Sequence, residues 1–317
     1  MRSRRRARAR MPRPERVGVT RRHFAGLVAS AAIAGPSKAL AQPRSRKPRL
    51  PAGRNPGGVP VAIIDSGIDY ARPDIAGRLA RDGEGDLVGW DLEDNDNRPL
   101  DRPLVPGQPP LGTLLATALL AEAGAATVVP VRRREGDGLS VARALSFVSQ
   151  TPARFAVLPL AGDDPAPWQT FREAASQLQA VMVIAPAAMP GPAGRDLARS
   201  PSYPAALALP NVLIVTAVDG DGRLLDGAAR GAGAIDLAVP AHDVIGLARD
   251  GTRQTVPSAL AAVMRAAAMT ARLLEREPHL RGAALKARIL ADARPLPDAG
   301  IARAGWIADA RRRWWLE

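Results

Sequence analysis

The 317-residue chain predicts an α/β fold, a mostly parallel sheet with helices on both faces, and three observations carry that prediction. Short β-branched runs alternate with longer stretches of helical periodicity, the order that parallel strands and crossover helices require. Glycine and proline punctuate the boundaries between them. One run, Val59-Pro60-Val61-Ala62-Ile63-Ile64, leads directly into Asp65 and a Ser66-Gly67 turn. A carboxylate is thereby set at the carboxyl end of a buried strand, where open α/β sheets gather their ligand-handling groups.

Taken in order, residues 59–64 read as that first strand, bounded by Gly57-Gly58 and by Ser66-Gly67. Polar turns through Gly83-Glu84-Gly85 precede a loop at 91–107 rich in Asp, Asn and Pro, predicted to be irregular. Leucine and alanine dominate 113–122, a helix, and the β-branched run 127–131 is the next strand. Apolar residues at 141, 144, 145 and 148 place a helix over 140–150, followed by a strand at 155–160. Pro167 opens a helix over 167–179, before a strand at 181–185. Strands at 212–217 and 235–239 follow, then a long helix at 257–275 begun by Pro257 and another at 283–292.

The net charge of +13 suggests a nucleic-acid or membrane binder, but its distribution removes that support. Residues 1–41 hold 11 of the 44 basic residues and one acid, Glu15; five more basic residues lie at 44–54. The body from residue 55 onward balances 28 basic against 30 acidic side chains. Cysteine is absent, which excludes disulfides, thiolate metal sites and a cysteine nucleophile. Of the three histidines, His23 lies in the N-terminal segment, leaving His242 and His279. A histidine-rich metal centre is excluded. The acidic loop at 91–101 has carboxylates that could hold a structural cation, but no metal or cofactor is assigned. No nucleotide-binding loop or paired-carboxylate site stands out.

The N-terminus carries Thr20-Arg21-Arg22-His23-Phe24, an apolar stretch over 25–34, and Ala39-Leu40-Ala41 before Gln42. This resembles a twin-arginine export signal, which implies a chain that folds in the cytoplasm and is exported to the periplasm or beyond. The stretch is shorter than the about 20 residues a permanent membrane span needs. The predicted organisation is therefore a signal at 1–41, a basic Pro/Gly-rich linker at 42–58, and one domain at 59–317. The domain ends in the basic aromatic tail Arg311-Arg312-Arg313-Trp314-Trp315.

Five segments, in order, are similar to motifs of subtilisin-like serine proteases. They are Ile63-Ile64-Asp65-Ser66-Gly67-Ile68-Asp69; the Gly89–Asp101 stretch GWDLEDNDNRPLD; Leu111-Gly112-Thr113; Ser202-Tyr203-Pro204-Ala205 with the strand after Pro210; and Gly251-Thr252-Arg253 with Pro257 four residues on. The resemblance covers about residues 59–270 and implies the family's three-layer fold, with Asp65 as the aspartate of its Ser-His-Asp triad. It also shows what is missing. Leu111 stands where the family has its histidine, Arg253 where it has its serine, and Met189 where it has the asparagine that stabilises the oxyanion.

A triad needs a hydroxyl nucleophile, an imidazole to take its proton and a carboxylate to orient that imidazole. Leu111 cannot accept a proton, Arg253 has no hydroxyl, and Met189 offers no donor to an oxyanion. The resemblance thus implies a protease homologue that does not cut but binds a peptide or protein, with Leu160, Ala161 and Gly162 as an edge for an extended ligand. A buried, unpartnered Asp65 is costly, so Arg253 is expected to reach across and pair with it. The alternatives are a scaffold with a vestigial cleft, and an active serine-type endopeptidase using Thr252, Thr255 or Ser258 with His242 or His279. No nucleic-acid partner is expected.

Overall fold

Val59, Val61 and Ile63 are buried in one apolar cluster and Ala62 and Ile64 in another, so successive residues of a single strand serve two cores. That strand lies at the centre of a computed structural model whose described residues are 47–308, apart from 190, 192 and 193. The segment predicted as an export signal, residues 42–46 of the linker and the Arg311–Trp315 tail lie outside the described residues.

The elements in chain order are β1 (Val59–Asp65), α1 (Pro73–Ala76), β2 (Trp90–Asp91), α2 (Gly112–Glu122), β3 (Ala126–Arg132), α3 (Gly138–Ser149), β4 (Phe155–Val157), α4 (Trp168–Gln177) and β5 (Met182–Pro186). They continue with β6 (Arg195–Asp196), β7 (Val212–Val218), β8 (Ala229–Arg230), β9 (Leu237–Pro240), β10 (Ile245–Leu247), β11 (Arg253–Thr255), α5 (Ser258–Arg276) and α6 (Gly282–Leu290). The main sheet has seven strands in the order β2-β3-β1-β4-β5-β7-β9, and every pair in it is parallel. The short strands β6 and β8 pair with each other, and β10 and β11 form an antiparallel pair.

Leu115 and Leu119 of α2, most of α5, and Leu285 and Ile289 of α6 cover one face of the sheet. Val141, Leu145 and Val148 of α3, with Trp168, Phe171 and Ala175 of α4, cover the other. The predicted α/β class and its helix-covered parallel sheet are what the molecule has. α5 is buried along most of its length because it is built largely of alanine with Leu, Met and Val. Its one buried charge, Arg265, is held by Glu122 Oε1 at 2.7 Å and by the carbonyls of Pro240 and His242.

Several boundaries shift by one to three residues from the sequence expectation, and two of the shifts have a clear local cause. The strand expected over 155–160 stops at Val157: the Leu158 N–H still donates to the Ile184 carbonyl, but Pro159 has no N–H to continue the ladder. The long helix starts at Ser258, one residue after Pro257, because Pro257 is extended (ψ 139°) and stands as the N-cap.

Candidate functional site

Asp65 is the last residue of β1, and its carbonyl accepts the N–H of Arg133 at 2.9 Å as the chain leaves β3. The turn that follows depends on glycine. Gly67 has φ +92°, and a side chain there would meet the Pro99 and Leu100 carbonyl oxygens at 2.5 and 2.7 Å. Gly112, the first residue of α2, sits so close to that turn that a Cβ would lie 1.8 Å from the Gly67 oxygen. These contacts dock the start of α2 against the end of β1, and so bring Leu111 beside the Asp65–Ser66 turn.

Ser66 fastens the junction. Its hydroxyl donates to Asp101 Oδ1 at 2.5 Å and accepts the N–H groups of Leu111 (3.2 Å) and Gly112 (2.9 Å), while Asp101 Oδ2 accepts the Thr113 N–H at 2.9 Å. Sequence reasoning places Asp65 and Leu111 in one site but misses Ser66 and Asp101. The hydroxyl in Asp-Ser-Gly is the only sequence signal for the pair, since Asp101 sits among many loop acids.

Asp65 is 7% exposed, and burial pushes its carboxyl up to about 7. The positive charge of Arg133 and a hydrogen bond from the Ser66 N–H oppose that shift, whereas Asp101 and Glu135 reinforce it. Burial raises Asp101 as well, beyond what its hydrogen bonds offset. Arg133 is itself engaged with Glu135 at 2.8 Å. Among the described residues no side chain donates to Asp65 and no cation lies within ion-pair distance of it.

The expected Arg253–Asp65 pair does not form. Arg253 is exposed in β11 opposite Leu247, and it lines a pocket with Asp74, Arg78 and Thr117. The next residue, Gln254, faces a different pocket, the one walled by Leu111. Antiparallel pairing extends residues 253–255, so consecutive side chains project to opposite sides, and Arg253 takes the side away from Leu111. The hairpin is held in this register by the Leu247 N–H, which donates to Thr117 Oγ1 at 2.7 Å, and by Gly246, where a Cβ would lie 2.2 Å from the Leu114 oxygen.

Met189 follows β5 and the buried Ala187 and Ala188, and the residue is 40% exposed. Leu160, Ala161 and Gly162 continue beyond β4 and line a pocket of about 230 Å³ with Arg133, Gly138 and Trp168. Their expected role as a free strand edge is not available at Gly162. Its N–H donates to Tyr203 at 2.9 Å and its carbonyl accepts from Tyr203 at 2.8 Å, closing the edge with the chain's own backbone. The pocket beside Leu111 is larger, about 460 Å³, and is also lined by Pro103, Pro109, Pro110 and Leu114.

One candidate hydroxyl near the hairpin and the nearby imidazole each sit beside an acid. Thr252 Oγ1 donates to Asp250 at 2.7 Å, and His242 Nε2 lies 3.6 Å from the Asp243 carboxylate. In the acidic loop a side chain supplies the cation: Lys47 Nζ lies 2.7, 3.0 and 2.9 Å from carboxylate oxygens of Asp91, Asp94 and Asp96. Arg132 adds a second positive contact to Asp91 at 3.1 Å.

This arrangement of sheet and helices is similar to that of two solved proteases. It aligns with a cold-adapted subtilisin-like serine proteinase over 80% of this chain and 89% of that one, with TM-score 0.62 and 20% identity. The corresponding values for a lanthipeptide protease are 81%, 88%, 0.62 and 18%. The fold is subtilisin-like. No family model and no curated protein matches the sequence. On this subtilisin-like fold the carboxyl end of β1 holds a buried acid, an apolar neighbour at Leu111 and, on the hairpin, Gln254 rather than a hydroxyl facing the same pocket.

Proposed function

We propose that this subtilisin-like protein is exported, does not hydrolyse peptide bonds, and binds an extended peptide segment in the cleft over Asp65. The observation that carries the loss of hydrolysis is the setting of Asp65: a leucine stands beside it, and the arginine at the motif's serine position projects to the far side of the hairpin. The motif positions therefore supply neither the hydroxyl nucleophile nor the imidazole that a Ser-His-Asp triad requires. Two pockets are lined by residues whose main chains are bonded to the Asp65–Ser66 turn, although Asp65 itself lines neither, and they support the binding reading. One is walled by Leu111, tied to Ser66; the other is walled by Arg133, tied to Asp65 itself. Apolar pockets with a few placed polar groups are the usual form of a site that grips side chains.

The test uses the chain from Gln42 onward and unstructured casein. No turnover is expected, while dye-labelled peptides from a casein digest bind measurably by fluorescence anisotropy. Cleavage that survives Asp65→Ala but disappears with Ser258→Ala or His242→Ala would instead establish an active peptidase of unusual constitution. The export reading is supported by Arg21-Arg22 and the apolar stretch after them; replacing both arginines with lysine is expected to retain the protein in the cytoplasm.

A further inference from the structure

We infer that β11 takes up an extended, acidic segment of another protein as a third strand of the β10–β11 hairpin, with a carboxylate side chain set opposite Arg253. Arg253 projects away from the Leu111 pocket, so the inference stands independently of binding in the cleft.

The pairing of the hairpin decides which main-chain groups are engaged. The Val256 N–H donates to the Val244 carbonyl at 2.8 Å, and the Ala248 N–H donates to the Thr252 carbonyl at 2.9 Å. Bonded and non-bonded pairs alternate along an antiparallel ladder. Leu247–Arg253 and Ile245–Thr255 are therefore non-bonded pairs, whose N–H and C=O groups point away from the partner strand. On the β10 side α2 closes the edge, because Thr117 Oγ1 accepts the Leu247 N–H at 2.7 Å. On the β11 side no main-chain bond to Arg253 or Thr255 forms among the described residues. The hairpin has only two strands, and residues 253–255 are all exposed. An edge of this kind is a template for strand addition. It is the open edge that Gly162, closed by Tyr203, does not provide.

Side chains select the occupant. The Arg253 guanidinium has no ion-pair or hydrogen-bond partner among the described residues. The charged groups around it are engaged elsewhere. Asp74, in the same pocket, is held by Arg72 at 2.9 Å, and Arg78 donates to the carbonyls of Ala123, Gly124 and Ala126. At the hairpin turn Asp250 accepts from Thr252, and Arg249 donates to the Asp101 carbonyl. A residue directly across a ladder from Arg253 shares its face with Cβ atoms within about 5.5 Å, so a carboxylate there supplies the missing charge. Residues two positions to either side share that face as well. There Leu120, Leu247 and the 41% exposed Ile245 wall a pocket of about 350 Å³, which suits apolar side chains beside the acid. A second copy is a poor occupant, since β11 against β11 brings two guanidinium groups together and residues 253–255 carry no acid. This chain's segments outside the described residues are rich in arginine, Arg311-Arg312-Arg313 among them, and have the wrong charge.

The experiment uses the chain from Gln42 onward and N-acetylated, C-amidated, dye-labelled heptapeptides of sequence Thr-Val-Thr-X-Thr-Val-Thr, with X as Glu, Gln or Lys. Binding is read by fluorescence anisotropy at low salt on the native chain and on Arg253→Glu, with cooperative thermal unfolding checked for both. The Glu peptide is expected to bind the native chain about fivefold more tightly than the Gln peptide, with the Lys peptide weakest. In Arg253→Glu the order is expected to reverse, with the Lys peptide binding best. Main-chain pairing is tested on the ligand: N-methylation of one alternate set of residues in the Glu peptide is expected to abolish binding, and methylation of the other set to spare it. Equal affinity of the Glu and Gln peptides, or an unchanged order in Arg253→Glu, overturns the charge assignment. Equal effects of the two methylation patterns overturn strand addition, and failure of all three peptides to bind the native chain overturns the whole inference. A native dimer that Thr255→Pro dissociates, by removing an edge N–H, would give the edge to a second copy and overturn it too.

Discussion

A carboxyl held near 7 inside a folded protein makes stability depend on pH through one residue. The ordinary value for Asp65 is 3.8 and the native value about 7. Below the ordinary value both states carry the proton and nothing is lost. Between the two values the unfolded chain releases the proton while the native state keeps it, and above about 7 the native state bears the full cost of the buried charge. That cost is about 4 kcal/mol from the difference between the two values. Asp65→Asn removes it without changing shape. The variant is expected to match the native chain in urea unfolding near pH 3.5 and to exceed it at pH 8 by up to that amount. An equal difference at both pH values would show that the charge is not the cause.

At the scale of elements, the docking of α2 on the end of β1 has little tolerance. Gly112→Ala places a methyl against the Gly67 carbonyl oxygen, a backbone atom that cannot rotate away, and overpacking of this kind costs about 3 kcal/mol. The change is expected to appear as a lowered denaturant midpoint with an unchanged slope. Lys47→Met leaves Asp91 and its neighbours facing one another with Arg132 as the main remaining cation; a loss of about 3 kcal/mol is expected, and it persists at 0.5 M salt because buried pairs are poorly screened. A loss abolished by salt would assign the contact to surface electrostatics. These elements also mark the limits of what sequence shows. β1 and its terminal Asp65 are legible because a β-branched run and a glycine turn are local signals. The place of Arg253 is not, because it depends on the register of the β10–β11 hairpin, and that register is fixed by Gly246 fitting against Leu114 of α2, a residue far away in sequence. Lys47 likewise reads as one more basic residue in a linker until the fold brings it to acids 44 to 49 positions away.

For the whole molecule, the sheet joins two cores that share its strands. Ile63 and Ile64 are adjacent in β1 and buried on opposite faces. Truncating either to alanine is expected to cost about 3 kcal/mol, the middle of the range for such core deletions. If the two cores fold as one unit, both variants shift a single transition, and circular dichroism and tryptophan fluorescence report the same midpoint for each. Separate midpoints would show that the faces melt independently.

The contact between Lys47 and the acidic loop also decides what can disturb that loop from outside. An ion drawn from solution can be diluted, chelated or displaced by a competitor, whereas an ammonium carried on the same chain is always present at the concentration its tether sets. The loop's order should therefore be unaffected by a chelator, with the melting temperature unchanged by millimolar EDTA, yet it is lost irreversibly if the chain is cut just beyond residue 47. What a chelator cannot remove, a single proteolytic event can.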